Sequence, residues 1–249
     1  MTGHAHEAQA ELDIRERGAE RDGKPQILDR RLFMQLLAFE AADDVGTSEA
    51  LGLLRDAVGK GGTGAVIYED VTHPGGFAVL SFSEQPLDFV DKLRPALGDA
   101  KLRRALRLRE PLTMIGRTYS TGFETDLEYW LLNRPRETVL NEAWPWAVWY
   151  PLRRVGGFER LEPREKGGIM REHGMIGRSY AGADFAHDVR LACHGLDAND
   201  NDFVIGLIGK ELHPLSHVVQ AMRQTKQTAE YMDHMGPFFV GRAVHRQAG

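Results

Sequence analysis

The sequence is poor in cysteine, and this scarcity excludes several kinds of site. Cys193 is the single cysteine among 249 residues. An internal disulfide needs a second cysteine, and a multi-thiolate zinc or iron–sulfur site needs more still. A lone cysteine in a strand-like run is most often a small buried hydrophobic residue, and we expect this of Cys193.

The sequence also lacks long hydrophobic runs and an excess of positive charge. No stretch approaches the ~18 apolar residues that span a bilayer, and residues 1–24 lack the apolar segment of a secretion signal. We therefore predict a flexible leader at residues 1–24, no membrane partner and a cytoplasmic location. The formal net charge is −5, and the arginines from Arg103 to Arg109 alternate with leucine as on a solvated helix face. Nucleic acid is therefore not predicted as a partner.

Strand and helix patterns follow one another in a β-α-β-β-α-β order that is then repeated. The first set has predicted strands at residues 31–39, 65–71, 77–82 and 112–120, with helices from Thr47 to the Gly61-Gly62 pair and at 86–107. A connector at residues 123–142, which contains Pro135, leads to the second set. That set has predicted strands at residues 147–150, 189–193, 203–208 and 238–241, with helices at 163–178 and 215–231.

This repeated order predicts the fold class. A β-α-β-β-α-β order is typical of a ferredoxin-like unit, in which helices cover one face of an antiparallel sheet. The bare faces of two such sheets need a partner, and each can supply the other. We predict an α+β fold of two tandem ferredoxin-like β-α-β-β-α-β units, residues 25–142 and 143–249, packed as an α+β barrel.

The candidate site lies in the segment that begins at Tyr150. Arg153 and Arg154 end a predicted strand, His173 follows on a helix, and Arg190 stands in a later strand among apolar neighbours. No second histidine or cysteine stands four residues from His173, which argues against zinc. One axial imidazole is enough for haem iron, because the macrocycle supplies the other ligands, and guanidinium groups bind propionates. On the residues alone, two surface arginines are the better interpretation of Arg153 and Arg154.

Short motifs between Trp149 and Gly241 carry a family resemblance. They are Pro151-Leu152-Arg153-Arg154, Glu172-His173-Gly174, Gly177-Arg178-x-Tyr180-Ala181-Gly182, Gly195-Leu196-Asp197, Asp202-Phe203 and Phe238-Phe239-Val240-Gly241. With them the sequence resembles the chlorite dismutase family, which includes chlorite dismutases and coproheme decarboxylases. The resemblance implies a duplicated ferredoxin-like fold, haem b as cofactor or coproheme as substrate, and a homo-oligomer, with five subunits for a chain of this length.

The resemblance implies a role for each candidate residue. His173 corresponds to the proximal ligand of the haem iron. Arg154, with Arg153 beside it, corresponds to a propionate partner that is more often lysine in the family. Tyr150 resembles the tyrosine whose radical starts propionate decarboxylation in coproheme decarboxylases. Gln227 stands where the family commonly has a glutamate that accepts the N–H of the proximal imidazole.

Arg190 is assigned to the distal side by counting back from Phe203 without a gap. Counting forward from His173 reaches residues 186–187 instead, which implies about four inserted residues within 183–188, since a loop tolerates insertion better than a strand. Chlorite dismutases carry an arginine at the distal position, whereas many coproheme decarboxylases carry glutamine or no polar group there.

Three functions follow from these residues. The first, which we rank ahead, is a haem-dependent oxidoreductase that decomposes chlorite to chloride and dioxygen, with Arg190 holding the reactive product by its charge. The second is a coproheme decarboxylase that makes haem b with peroxide, in which Tyr150 is the radical residue. The third is a haem-binding protein with weak peroxidase activity, favoured by Gln227 and by Phe158-Glu159 where chlorite dismutases have a tryptophan pair. A structural domain without cofactor is the remaining alternative.

Overall fold

A computed structural model describes residues 12–249 of the chain. Its strands are β1 (Glu16–Arg21), β2 (Lys24–Leu28), β3 (Phe33–Ala41), β4 (Gly64–Asp70), β5 (Gly76–Ser83), β6 (Leu106–Leu108), β7 (Met114–Arg117), β8 (Trp146–Arg154), β9 (His187–Ala192), β10 (Phe203–Gly209), β11 (Met232–Met235) and β12 (Phe239–Gln247). Its α-helices are α1 (Thr47–Gly61), α2 (Arg94–Leu97), α3 (Ala100–Ala105), α4 (Arg134–Leu140), α5 (Pro163–Gly182), α6 (Leu212–Met222) and α7 (Lys226–Tyr231).

All the described strands except β1 and β2 belong to one antiparallel sheet that closes on itself. The order around the ring is β10-β9-β7-β3-β5-β4-β12-β8, and β8 pairs back to β10. Strands β6 and β11 pair with further residues of β3 and β8. Closure leaves the ring itself without an open edge.

Each half of the ring has the strand order of a ferredoxin-like unit. The first half runs β7-β3-β5-β4 and the second runs β12-β8-β10-β9, so that in both halves the first and third strands of the unit are central. The predicted α+β fold of two tandem ferredoxin-like units packed as a barrel is therefore confirmed. The division of the chain at residues 142 and 143 stays a prediction.

Alternate residues of the strands fill the inside of the ring, and helices cover its outside. Met34, Leu80 and Trp149 are among the buried residues inside. On the outside, Leu54 of α1 packs against the first unit and Leu215 of α6 against the second. Each such burial stabilises the fold by about 1.5–3 kcal/mol. Within residues 12–249, no helix combines the length and the apolar content that a bilayer-crossing segment requires.

Two predicted helices are divided because short polar side chains cap new helix starts within them. The helix predicted at residues 86–107 becomes a π-helical turn with α2, and then α3, whose first N–H groups at Lys101 and Leu102 donate to Asp99 Oδ1 at 2.9 and 3.3 Å. The helix predicted at 215–231 becomes α6 and α7, and Thr225 caps the second of them. In the predicted connector at 123–142, a π-helical turn leads into α4.

Part of the predicted flexible leader forms a hairpin instead. Residues 1–11 lie outside the described residues, but β1 and β2 pair as antiparallel strands. The carboxylate of Glu16 accepts hydrogen bonds from Arg31 Nε at 3.0 Å, from Arg117 Nη1 at 3.2 Å and from the Ser120 N–H at 2.9 Å. This carboxylate therefore ties β1 to the ring, and the limits of the leader stay a prediction.

Candidate functional site

A row of three residues crosses the outer face of the second unit. Tyr150 of β8 lies opposite Ile205 of β10, and Ile205 lies opposite Arg190 of β9. Directly opposed residues of antiparallel strands project from the same face of a sheet. Tyr150 also packs in the apolar cluster that includes Ile176 of α5. Tyr150 and Arg190 therefore both face the helical layer.

His173 projects from α5 into the same region. Its Nδ1 is buried and has no hydrogen-bond partner among the described residues. Burial, together with the charges of Arg154 and Arg190, lowers the pKa of His173 to about 4. The imidazole is thus neutral at neutral pH, which is the state that binds a metal. An unpaired buried nitrogen on a neutral ring fits a single axial ligand.

Arg154 lies between two aromatic rings at the end of β8. Its guanidinium carbon is 4.6 Å from the ring centres of both Phe158 and Phe203. With its amide oxygen turned toward the guanidinium, Gln227 accepts hydrogen bonds from Nη2 at 3.2 Å and Nε at 3.3 Å. Burial lowers the pKa of Arg154, and the charge of Glu159 opposes this shift. The stacking and the hydrogen bonds hold a charged guanidinium on the outer face of the sheet, toward which His173 projects from α5.

The structure does not bring Arg153 to this face, since successive strand residues point to opposite sides. Arg153 Nε donates to Asp233 at 2.8 Å, and its Nη1 lies 3.8 Å from Asp200. Gln227 stands where the family commonly has a partner of the proximal imidazole. In the structure it is buried and contacts Arg154, while Nδ1 of His173 has no partner among the described residues.

A carboxylate holds Arg190. The Nε of Arg190 lies 3.0 Å from Oδ2 of Asp188, and Oδ1 of Asp188 accepts a hydrogen bond from Arg134 Nη2 at 2.7 Å. Burial acts to lower the pKa of Arg190, but Asp188, Tyr119 and Glu124 together outweigh it, and the pKa is raised. Burial likewise acts to raise the pKa of Asp188, and the charges of Arg190 and Arg134 lower it. Asp188 and Arg190 are therefore both ionised at neutral pH.

Tyr150 is a buried, neutral phenol. It is 5% exposed, and its ring stacks on Phe238 with 4.6 Å between the centres. Burial, and then the charge of Asp188, raise the pKa of Tyr150 above its usual value. The hydroxyl therefore keeps its proton over the physiological pH range.

Sequence reasoning missed Asp188, Arg134 and Tyr119. A small cavity beside Arg190 is lined by Tyr119 and Arg134 among others. Asp188 stands two residues before Arg190 in the same strand, so the period of two could have placed it on the site face. Arg134 is 54 residues from Asp188, and no local pattern links the two.

Comparison with known proteins identifies the family. The model of the chlorite dismutase family matches residues 77–244. The chain therefore belongs to the chlorite dismutase family, as its motifs predicted. A coproheme decarboxylase of Thermus thermophilus is 27% identical over 233 residues, which cover 84% of each chain.

Solved structures agree with the fold. A heme-binding protein from Thermus thermophilus superposes with a TM-score of 0.67 at 21% identity, covering 87% of this chain and 92% of that one. A chlorite dismutase from Candidatus Nitrospira defluvii in complex with imidazole has a TM-score of 0.66 at 16% identity, covering 86% and 91%. At these identities the likeness shows the fold alone.

Proposed function

We propose that the protein binds an iron porphyrin, as haem b or coproheme, on the outer face of its second unit. His173 fits the axial ligand because its ring is neutral and its buried Nδ1 is unpaired among the described residues. Arg154 is the fixed cation beside it that suits a propionate. When bound, the group would supply redox-active iron. The names of the two Thermus relatives, a coproheme decarboxylase and a heme-binding protein, support the same assignment.

We propose further that the reaction is peroxide-dependent decarboxylation of the propionates of coproheme. The observation that carries this choice is Tyr150, which shares a row with Arg190 and faces α5 as a buried neutral phenol. Such a phenol can give up an electron and its proton together, and then take a hydrogen atom from a propionate chain. In balance, one propionate, one hydrogen peroxide and one proton give a vinyl group, carbon dioxide and two waters. Peroxide is reduced and the propionate chain is oxidised.

Chlorite decomposition is the second candidate, and Arg190 is the observation that favours it. A permanent cation on the site face would hold an anionic product close to the iron. In this chain, however, Asp188 lies 3.0 Å from the Nε of Arg190 and offsets its charge. We therefore rank the decarboxylase first, which reverses the ranking that the sequence favoured.

Stopped-flow absorption spectroscopy with an oxygen electrode tests both candidates, on protein loaded separately with coproheme and with haem b. We expect peroxide to convert coproheme to haem b, and Tyr150→Phe to lose this conversion. The matched control is Tyr129→Phe, which alters a tyrosine that is 39% exposed and should leave conversion unchanged.

The other outcomes are equally definite. Rapid oxygen release from chlorite that Arg190→Gln abolishes would establish the second candidate instead. A Soret band lost in His173→Ala, without either reaction, would assign haem binding with at most weak peroxidase activity. Absence of a Soret band in the wild-type protein would overturn the whole proposal.

We also propose that the chain forms a homo-oligomer, with the pentamer that the family resemblance implies as the expected state. Each chain has a mass of 27.9 kDa. Light scattering coupled to size-exclusion chromatography measures the multiple directly, and a single-chain mass at working concentration would refute an oligomer.

A further inference from the structure

We propose that Asp188 determines which oxidant the site accepts. Its carboxylate lies between Arg190 and Arg134 and offsets the charge that Arg190 would present to an anion. The site therefore takes neutral hydrogen peroxide in preference to chlorite. This inference rests on the proposed iron-porphyrin site. It makes Asp188 a specificity-determining residue and Arg134 the residue that positions it.

Asp188 lies on the same face as the reactive row. In the pairing of β9 with β10 it stands opposite Leu207, one row away from the pair formed by Arg190 and Ile205. Residues two apart in a strand project from the same face, so Asp188 lies on the face that carries Arg190 and Tyr150. The carboxylate therefore belongs to the face of the candidate site.

Arg134 fixes the carboxylate from the other side. Its Nη2 donates to Oδ1 of Asp188 at 2.7 Å, and its Nη1 donates to the backbone carbonyl of the same residue at 2.8 Å. The guanidinium also stacks on Trp130, 4.7 Å from the ring centre, and the side chain is only 16% exposed. Asp188 therefore cannot turn away from Arg190 without losing these contacts. Arg190 in turn faces a fixed counter-charge.

The consequence for ligands follows from charge alone. A free guanidinium attracts any anion near the iron, whereas a guanidinium paired at 3.0 Å presents a dipole whose field falls off faster with distance. Hydrogen peroxide is neutral at physiological pH and loses little from this pairing. Chlorite is an anion and loses the attraction.

Fluoride binding to the ferric, haem-loaded protein tests the inference without measuring turnover. We expect Asp188→Asn to tighten the fluoride Kd at least tenfold and to raise the ratio of chlorite to peroxide turnover. The gain should disappear in the double variant Asp188→Asn with Arg190→Gln, because the cation that Asp188 restrained is then absent. The matched control is Asp184→Asn, a carboxylate that binds His187 and Lys210 instead. Its φ of 58° suits asparagine as well as aspartate.

An unchanged fluoride Kd in folded Asp188→Asn refutes the inference, as does a gain that survives in the double variant. Neither result touches the proposed function, which fails only if wild-type protein binds no haem or converts no coproheme. If Asp188→Asn does not fold, Asp188→Ser, which also removes the negative charge beside Arg190, takes its place. The same tightening of the fluoride Kd is expected there, and an unchanged fluoride Kd in folded Asp188→Ser refutes the inference.

Discussion

Replacing Gly206 by alanine should destabilise the half of the sheet that carries the candidate site. Gly206 of β10 stands opposite Trp149 of β8. A Cβ at this position would lie 2.5, 2.6 and 2.8 Å from three carbons of the indole six-membered ring, well inside the ~3.5–4.0 Å of a favourable carbon contact. Trp149 is fully buried inside the ring of strands, so the indole has no free space to enter. We expect Gly206→Ala to lower the free energy of unfolding by about 2–3 kcal/mol, the upper part of the range for overpacking.

Urea unfolding of the ligand-free protein, followed by circular dichroism, measures this loss. Trp149→Phe removes the crowding carbons and also an indole N–H that has no partner among the described residues. The double variant Gly206→Ala with Trp149→Phe should therefore lose about 1–2 kcal/mol less than the sum of the single variants. The control is Gly59→Ala on α1, where a Cβ meets nothing within 4 Å and should stabilise by about 0.5–1 kcal/mol. A Gly206→Ala variant as stable as wild type, or additive changes in the double variant, would refute the reasoning.

Two further predictions concern charge. The folded-state pKa of His173 is about 4 against an ordinary 6.5, so the unfolded chain binds more protons between these pH values and the stability of the ligand-free protein falls as the pH falls through them. In His173→Gln, the fall in stability over this pH range should be about 1–3 kcal/mol smaller than in the wild-type protein. If the slope of unfolding free energy against pH is the same in both proteins, His173 is not a buried neutral ring. Arg109→Ala leaves the carboxylate of Asp70, 0% exposed, without its cation and should cost about 3–5 kcal/mol. The control is Arg107→Ala: Arg107 lies 3.8 Å from Asp43, whose side chain is 94% exposed. This substitution should lower the free energy of unfolding by under about 1 kcal/mol. Equal thermal midpoints for the two variants would count against this reasoning.

The ring strands could be predicted because each is a short apolar run bounded by turn residues. This holds for β3, β4 and β5, and for the hairpin of β9 and β10. The breaks within helices could not be predicted from hydrophobic period. The residues that cause them, Asp99 and Thr225, act through one side-chain oxygen each, and a polar residue on an exposed helix face looks the same in the sequence. Strand β11 was missed because its four residues are too few to form a clear hydrophobic pattern, and its pairing with β8 is a contact between distant parts of the chain.

Local sequence patterns could also predict some residues of the candidate site, whereas others depend on contacts between distant parts of the chain. His173 and Tyr150 stand in short motifs, and the strand period then places Tyr150 and Arg190 on a common face. The face of Arg153 is also fixed by that period, but a motif with two adjacent arginines does not tell which of them is turned toward the site. The contact of Arg134 with Asp188 exists only because the chain between the two units folds back against β9. Sequence patterns predict single strands and helices, but they do not predict that this connecting segment packs against β9.

The two places where the ferredoxin-like units join differ greatly in extent. Strands β4 and β12 pair along most of their length, from Asp70 with Gly241 to Ala65 with Gln247, whereas β7 and β9 share the single pair Arg117 with Ala192. Few backbone hydrogen bonds need to break for the second junction to open locally, so its amides should exchange with solvent first. Thr118 and Tyr119, which follow Arg117, and Arg190 of β9 line the small cavity near this junction. Local separation of the two strands would expose this cavity to solvent, while the long junction on the far side keeps the two halves together.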